Sequence, residues 1–264
     1  MYISARDNPK IKELKKLYSS KKYRDEKGLF VIEGMRGCVD AVKSAENGLI
    51  IRKVFFVKKS LENYEDYLHT EIFEKIAREN LFEITEEIAE KISDTGTSQG
   101  IFVVAEKTDK NFSAVKSGGK YLILDNLQDP GNLGTMVRTA DAVGVDGVIL
   151  TGNCVDLYNP KTVRSAVGSL PRVNIFIEKN FTKVTEIFRK AGIKTVAAVV
   201  RDGVNISDYD FSGGCAVVIG NEGRGLCDEN VSLCDEKVTI KMRGNMDSLN
   251  AAVAGTIFLW EMTK

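Results

Sequence analysis

The sequence predicts an α/β protein whose second half is built on a parallel sheet. Three observations carry this. Val- and Ile-rich runs recur after residue 120, among them YLILD (121–125), GVILT (147–151), KTVAAVV (194–200) and CAVVIG (215–220). Segments with helical spacing separate most of them, and strands alternating with helices pair in parallel and are covered on both faces. A shorter alternation of the same kind fills the N-terminal part.

The elements follow in order. Residues 1–27 carry nine Lys/Arg against four acids, a net +5 in a chain whose 37 basic and 37 acidic residues cancel. Ile11, Leu14, Leu17 and Tyr18 recur there at helical spacing, which gives an amphipathic helix with a basic outer face. GLFVIEG (28–34) reads as a strand, and 35–48 as a helix stopped by Gly48. A strand over 51–59, a helix over 71–80, a short strand over 81–85, a helix over 86–93 and a strand over 100–107 complete a first domain, 1–107. The polar, glycine-bearing stretch 108–118 reads as a linker. The second domain, 119–264, adds strands over 172–177 and 236–242. Its helices fall at 133–143, 160–169, 181–191, 226–233 and from about Ser248 to the end. Asn159 and Pro160 form a cap and first-position pair for the helix at 160.

Composition narrows the function. A chain of 264 residues, 43% hydrophobic and 28% charged, suits one large or two modest globular domains. The longest uncharged apolar stretch, AAVAGTIFLW, is half the roughly 20 residues that a membrane span needs. The N-terminus has no apolar signal core, so a cytoplasmic protein is expected. Five scattered cysteines read as reduced thiols, and no metal site is expected. His69 is the only histidine, which removes His-dependent triads. Balanced charge argues against coating nucleic acid by bulk attraction, and leaves the basic segment 1–27 as the candidate patch.

Ligands of parallel sheets gather beyond the carboxyl ends of the strands, and three corners there stand out. In DNLQDPGNLGTMVRTADAVG, Asp129-Pro130-Gly131 forms a turn and Asn132 is the expected helix cap. Leu133, Val137, Ala140 and Gly144 share the face that packs on the sheet, and Arg138 projects elsewhere. Spacing alone allows Arg138 a surface pairing with Asp141. The glycines fit neither a dinucleotide loop nor a Walker loop. In VVIGNEGRGL (217–226), three glycines in six residues give either a flexible loop or a close backbone approach to a ligand. In IKMRGNMDSLNAAVAGTIFLWEM, a polar turn leads to a helix capped by Asp247 or Ser248. That helix is apolar on nearly every face, which implies burial in the core or against another subunit.

Together and in this order, the three corners closely resemble the motifs of the SpoU/TrmH family of RNA ribose methyltransferases, of the SPOUT superfamily. The resemblance covers about 119–264. NPKIKELKKL, KKYRDEKGLFVIEGMR and DAVKSA resemble the RNA substrate-binding domain that many of these enzymes carry, an α/β type similar to ribosomal RNA-binding proteins. The resemblance implies a parallel sheet with a deep trefoil knot over 215–250. It implies S-adenosylmethionine as cofactor, ribosomal RNA as substrate and a homodimer formed through the last helix. Transfer RNA, or RNA binding without catalysis, are the alternatives. Carried over residue by residue, Asn132, Arg138, Glu222, Ser248 and Asn250 form the reaction site, and Gly220, Ile240 and Leu249 hold the cofactor. Two positions depart from the pattern: Lys241 replaces a frequent proline, and Thr135 a frequent alanine.

Overall fold

The structure, a computed structural model, describes residues 1–46, 48–62, 76–93 and 95–264. The chain divides into two compact units. One is Met1–Thr108 with Tyr158–Arg172, and the other is Asp109–Leu157 with Val173–Lys264. The stretch Tyr158–Arg172, expected within the second domain, thus packs with the first unit.

The first unit contains β1 (Tyr2–Ile3), α1 (Pro9–Ser19), α2 (Lys21–Lys27), β2 (Leu29–Glu33), α3 (Met35–Ala45), β3 (Ile51–Phe56), α4 (Lys58–Glu62), β4 (Leu81–Ile84), α5 (Glu86–Ile92) and β5 (Ile101–Glu106). The strands form one mixed sheet in the order β1-β4-β3-β5-β2. The single helix expected over the basic segment is two helices broken at Ser20. Its extended backbone (φ −120°) ends α1, and its hydroxyl caps α2 by accepting from the Tyr23 amide. Ile11, Leu14, Leu17 and Tyr18 are buried as expected, in a core with Phe55, Phe82 and Phe102. Residues 71–75 of the helix expected over 71–80 lie outside the described residues, as does His69. Its last turn, Arg78–Asn80, is 3₁₀.

The second unit contains β6 (Lys120–Asp125), α6 (Pro130–Val143), β7 (Gly147–Thr151), β8 (Ile175–Ile177), α8 (Phe181–Lys190), β9 (Lys194–Val199), β10 (Val204–Asn205), β11 (Cys215–Ile219), α9 (Asp228–Leu233), β12 (Glu236–Thr239) and α10 (Ala251–Thr263). The short helix α7 (Pro160–Ser165) lies in the stretch that joins the first unit. The strand order is β10-β12-β9-β11-β6-β7-β8, and each pairing is parallel. Central β6, β7 and β11 are buried almost throughout, as the continuous apolar runs require. The 108–118 stretch is tied to this sheet, where the Lys110 amide donates to the Ile175 carbonyl at 2.7 Å.

Two helix starts differ from expectation. Asp129, not Asn132, caps α6: its Oδ1 accepts the Asn132 amide at 2.8 Å, and Pro130 fills the first turn. Asn250, not Asp247 or Ser248, caps α10 through the amides of Ala252 and Val253. Helix α10 packs against α6 so closely that a Cβ on Gly255 would lie 2.5 Å from the Met136 sulfur. Among the described residues, no helix is long and apolar enough to cross a membrane. No group of three or more potential metal ligands occurs among them either.

Candidate functional site

The first corner begins where β6 ends, at buried Asp125. Asn126 adopts φ 55°, a left-handed conformation that asparagine tolerates. Its side chain donates to Asp125 Oδ2 (3.1 Å) and accepts the Asn153 amide (2.9 Å). Asn230 also donates to Asp125 Oδ2, at 2.9 Å. A Cβ on Gly152 would lie 2.5 Å from Asn126 Oδ1, so the facing loop needs glycine at that position. Burial pushes the neighbouring Cys154 thiol up to about 11, which leaves it inert as a nucleophile.

The second corner is a closed ring rather than a flexible loop. Asn221 and Gly225 exchange backbone hydrogen bonds at 3.1 and 2.8 Å. Asn221 Oδ1 accepts the amides of Gly223 (3.0 Å) and Arg224 (3.2 Å). The Asn221 Nδ2 donates across to the Asn126 carbonyl at 2.9 Å. Gly220 is buried, and a Cβ there would lie 2.3 Å from the Gly225 backbone. The return of its own loop therefore requires this glycine.

Glu222 joins the two corners. Its carboxylate accepts the amides of Asp129 (2.8 Å) and Gln128 (3.1 Å) and the Asn132 Nδ2 (3.1 Å). Burial alone would raise its pKa. The two backbone donors and the Asn132 amide outweigh it and hold the carboxyl below its ordinary value. The relay continues in one direction. A carboxylate only accepts, so Asn132 turns its NH₂ to Glu222 and its oxygen to Asn250. The Asn250 Nδ2 donates to Asn132 Oδ1 at 3.1 Å, and its own oxygen caps α10. The three residues span 90 and 28 positions of sequence, which no local spacing reveals.

The third corner supplies a cleft lined by Val199, Val200, Ile240, Met242, Asp247, Ser248, Leu249 and Phe258. Ile240 and Leu249 thus share one apolar wall, with Ser248 beside them. Residues 243–250 are all exposed. Arg201 pairs with Asp247 at 3.6 Å on that surface. Gly220 is not among the residues lining this cleft. Arg138 is exposed on α6, six residues beyond Asn132, and takes no part in the Glu222–Asn132–Asn250 relay. Of the eight residues singled out from sequence, three form the relay, three meet at the cleft, and Gly220 and Arg138 stand apart. Sequence reasoning passed over Asn126 and Asn230. Asn126 takes the Asn153 amide and Asn230 donates to Asp125, contacts that join positions far apart in the chain.

The described geometry has close counterparts. Residues 119–260 match the SpoU rRNA methylase family, and 8–103 match the MRM3-like substrate binding domain. The chain is 31% identical to the 23S rRNA (guanosine(2553)-2'-O)-methyltransferase RlmP of Bacillus subtilis, over 98% of both chains. It resembles the AdoMet-bound rRNA methyltransferase of Sinorhizobium meliloti with a TM-score of 0.85 and 28% identity, covering 99% of this chain and 97% of that one. It resembles the SpoU methyltransferase AviRb of Streptomyces viridochromogenes, in complex with AdoMet, with a TM-score of 0.83 and 27% identity over 97% of each chain. The chain therefore belongs to the SpoU rRNA methylase family.

Proposed function

We propose that this protein transfers a methyl group from S-adenosylmethionine to the 2′-hydroxyl of a ribose in ribosomal RNA. The observation that carries the reading is the one-way relay from Glu222 through Asn132 to Asn250, which fixes three polar groups of separate corners at one place. The family and its AdoMet-bound relatives support the choice of cofactor and substrate.

The residues present fit such a cofactor. Val199, Ile240, Leu249 and Phe258 offer apolar walls for an adenine ring, and the exposed 243–250 run offers backbone polar groups for its edges. Asp247 adds a carboxylate suited to a cationic group. When bound, the cofactor supplies an electrophilic methyl on a sulfonium.

The chain's own residues then position the hydroxyl. Glu222, ionised and fully committed to donors, orients Asn132 and exchanges no proton. Asn132 and Ser248 line the approach of the ribose. An arginine guanidinium is a poor base in general, so Arg138 is not given that part. Its guanidinium instead steadies the alkoxide as it forms, or holds the adjacent phosphate that takes the proton. In-line positioning supplies much of the rate, up to about 7–11 kcal/mol in favourable cases.

A homodimer belongs to the same reading. Val253 and Trp260 stand 48% and 62% exposed, seven positions apart on one stripe of α10. A second copy seated there covers an apolar face that solvent disfavours. It also lies beside α6, the helix that carries Arg138. The knotted path over 215–250 and a cytoplasmic location complete the proposal.

The test is incubation with methyl-labelled S-adenosylmethionine and separate ribosomal and transfer RNA pools. Label is expected in ribosomal RNA. Label confined to transfer RNA moves the substrate, and cofactor binding without label in either pool refutes the reading.

A further inference from the structure

Strand β6 lies between β11 and β7 in the sheet, so the corner at its end neighbours the loops that leave both strands. Asn126 is the residue at which those loops meet. Its backbone carbonyl accepts the Asn221 Nδ2 of the β11 loop at 2.9 Å. Its Oδ1 accepts the Asn153 amide of the β7 loop at 2.9 Å, and its own amide donates to the Thr151 carbonyl at 3.2 Å. Its Nδ2 donates to Asp125 Oδ2 at 3.1 Å, the same oxygen that Asn230 of α9 reaches at 2.9 Å. Each polar group of Asn126, main chain and side chain, is therefore engaged, and together they tie three loops.

The conformation shows why an asparagine stands there. At φ 55° glycine would cost least, and it would keep every backbone bond. What asparagine adds is the pair of side-chain bonds to Asp125 and Asn153. The residues that follow depend on the turn so fixed. The Val155 amide donates to the Leu127 carbonyl at 2.7 Å. Gln128 Nε2 spans the carbonyls of Asn126 (3.3 Å) and Asn153 (2.6 Å). The amides of Gln128 and Asp129 are the two that Glu222 accepts. Asn221, held by the Asn126 carbonyl, immediately precedes Glu222. The donors to the Glu222 carboxylate and the loop that carries it are thus both referenced to one residue.

We infer that Asn126 is a positioning residue for the methyl transfer. Through Asn221 and the amides of Gln128 and Asp129 it sets the place at which Glu222 holds Asn132. The inference rests on the reaction proposed above. Without the Asn126 side chain, the 127–129 turn loses its ties to Asp125 and Asn153, and Asn132 is displaced with it. A misplacement of about 1 Å at a reacting centre costs on the order of 100-fold in rate. The cofactor cleft, lined by Ile240, Leu249 and Phe258, draws on none of these bonds.

The experiment compares the full chain with Asn126→Gly, which suits the same backbone conformation and removes only the side-chain bonds. The kcat for methyl transfer to ribosomal RNA is expected to fall on the order of tenfold to a hundredfold. The KM for S-adenosylmethionine is expected to stay within about twofold of wild type. Amide NMR is expected to shift Gln128, Asp129 and Glu222 and to leave Leu249 in place. If Asn126→Gly fails to fold, Asn126→Asp decides by the same readouts. It keeps an acceptor for the Asn153 amide and sets a carboxylate oxygen where the donor to Asp125 stood. A near-normal kcat in the deciding variant overturns the inference. So does a loss of kcat matched by an equal rise in the cofactor KM, which marks general loosening. If the wild-type chain methylates no RNA, the proposed function fails and the NMR comparison alone decides. Unmoved Gln128, Asp129 and Glu222 amides then overturn the positioning by Asn126, and shifted ones leave it standing.

Discussion

The two sides of the candidate site are built differently. On one side, the 126–132 and 221–225 loops clasp each other through Asn221, Glu222 and Asn132, with donor–acceptor distances of 2.8–3.1 Å. On the other, residues 243–250 lie exposed, tied along that run by the 3.6 Å Arg201–Asp247 pair and by Asn250 at its end. The difference separates two tasks. Groups that must meet a reacting hydroxyl within a fraction of an ångström are held before substrate arrives. Groups that enclose a cofactor mainly by apolar contact tolerate more freedom and gain order from the ligand itself.

The largest effect is expected at Arg138, which stands on the clasp side and outside the relay. Arg138→Ala and Arg138→Lys should each lose on the order of 100-fold or more in kcat while binding of S-adenosylmethionine, by calorimetry, persists. Near-normal turnover in either variant removes Arg138 from the reaction. Next comes Gly220→Ala. The added methyl, 2.3 Å from the Gly225 backbone, forces the ring open. A loss of roughly 1–3 kcal/mol of stability is expected by chemical unfolding, with activity lost as the clasp loosens. An unchanged midpoint would show that the ring is less tightly closed than its hydrogen bonds imply.

Smaller effects sharpen the contrast. Leu249→Ala, on the open side, should raise the KM for cofactor by about tenfold and lower the melting temperature only slightly, because Leu249 is already 37% exposed. Coupled losses of stability and affinity would put Leu249 with the clasp instead. The smallest effect is the pH dependence of Glu222. Its folded pKa is lowered, so its stabilising contribution is fully present above the ordinary carboxyl value of 4.5 and lost as pH falls through the lowered value. The melting-temperature gap between wild type and Glu222→Ala should therefore be widest near neutrality and close in strong acid. A gap independent of pH would mean that Glu222 acts by packing rather than by charge.

Much of the fold was legible because strand and helix periods are local. Lys120–Asp125, Gly147–Thr151 and Cys215–Ile219 fall where apolar runs predict them. Two-residue strands such as Val204–Asn205 leave too short a pattern to see. The helix caps show a subtler limit. Asp129 and Asn132 are both cap-forming types, and Pro130 at the first helical position favours Asp129, a signal present in the sequence but masked by reading Asp129-Pro130-Gly131 as a turn. NMDSLN offers Asp247, Ser248 and Asn250 as cap-forming residues, and the structure uses Asn250, whose Nδ2 also reaches Asn132. The relay itself was reachable from sequence only by resemblance to a family. Glu222 lies far from Asn132 in the chain, and the contact depends on β6 and β11 being neighbours in the sheet. The joining of Tyr158–Arg172 to the first unit likewise follows from packing that no linear reading of composition contains.

The central claim is that the clasp presents a ribose hydroxyl, rather than a base, to the methyl donor. The most direct measurement is alkaline hydrolysis of ribosomal RNA methylated by the purified protein with labelled S-adenosylmethionine. A 2′-O-methyl group removes the nucleophile that alkali uses to cut the chain. The label should therefore be recovered in an alkali-resistant dinucleotide. Label released in ordinary mononucleotides would place the methyl on a base and contradict the account.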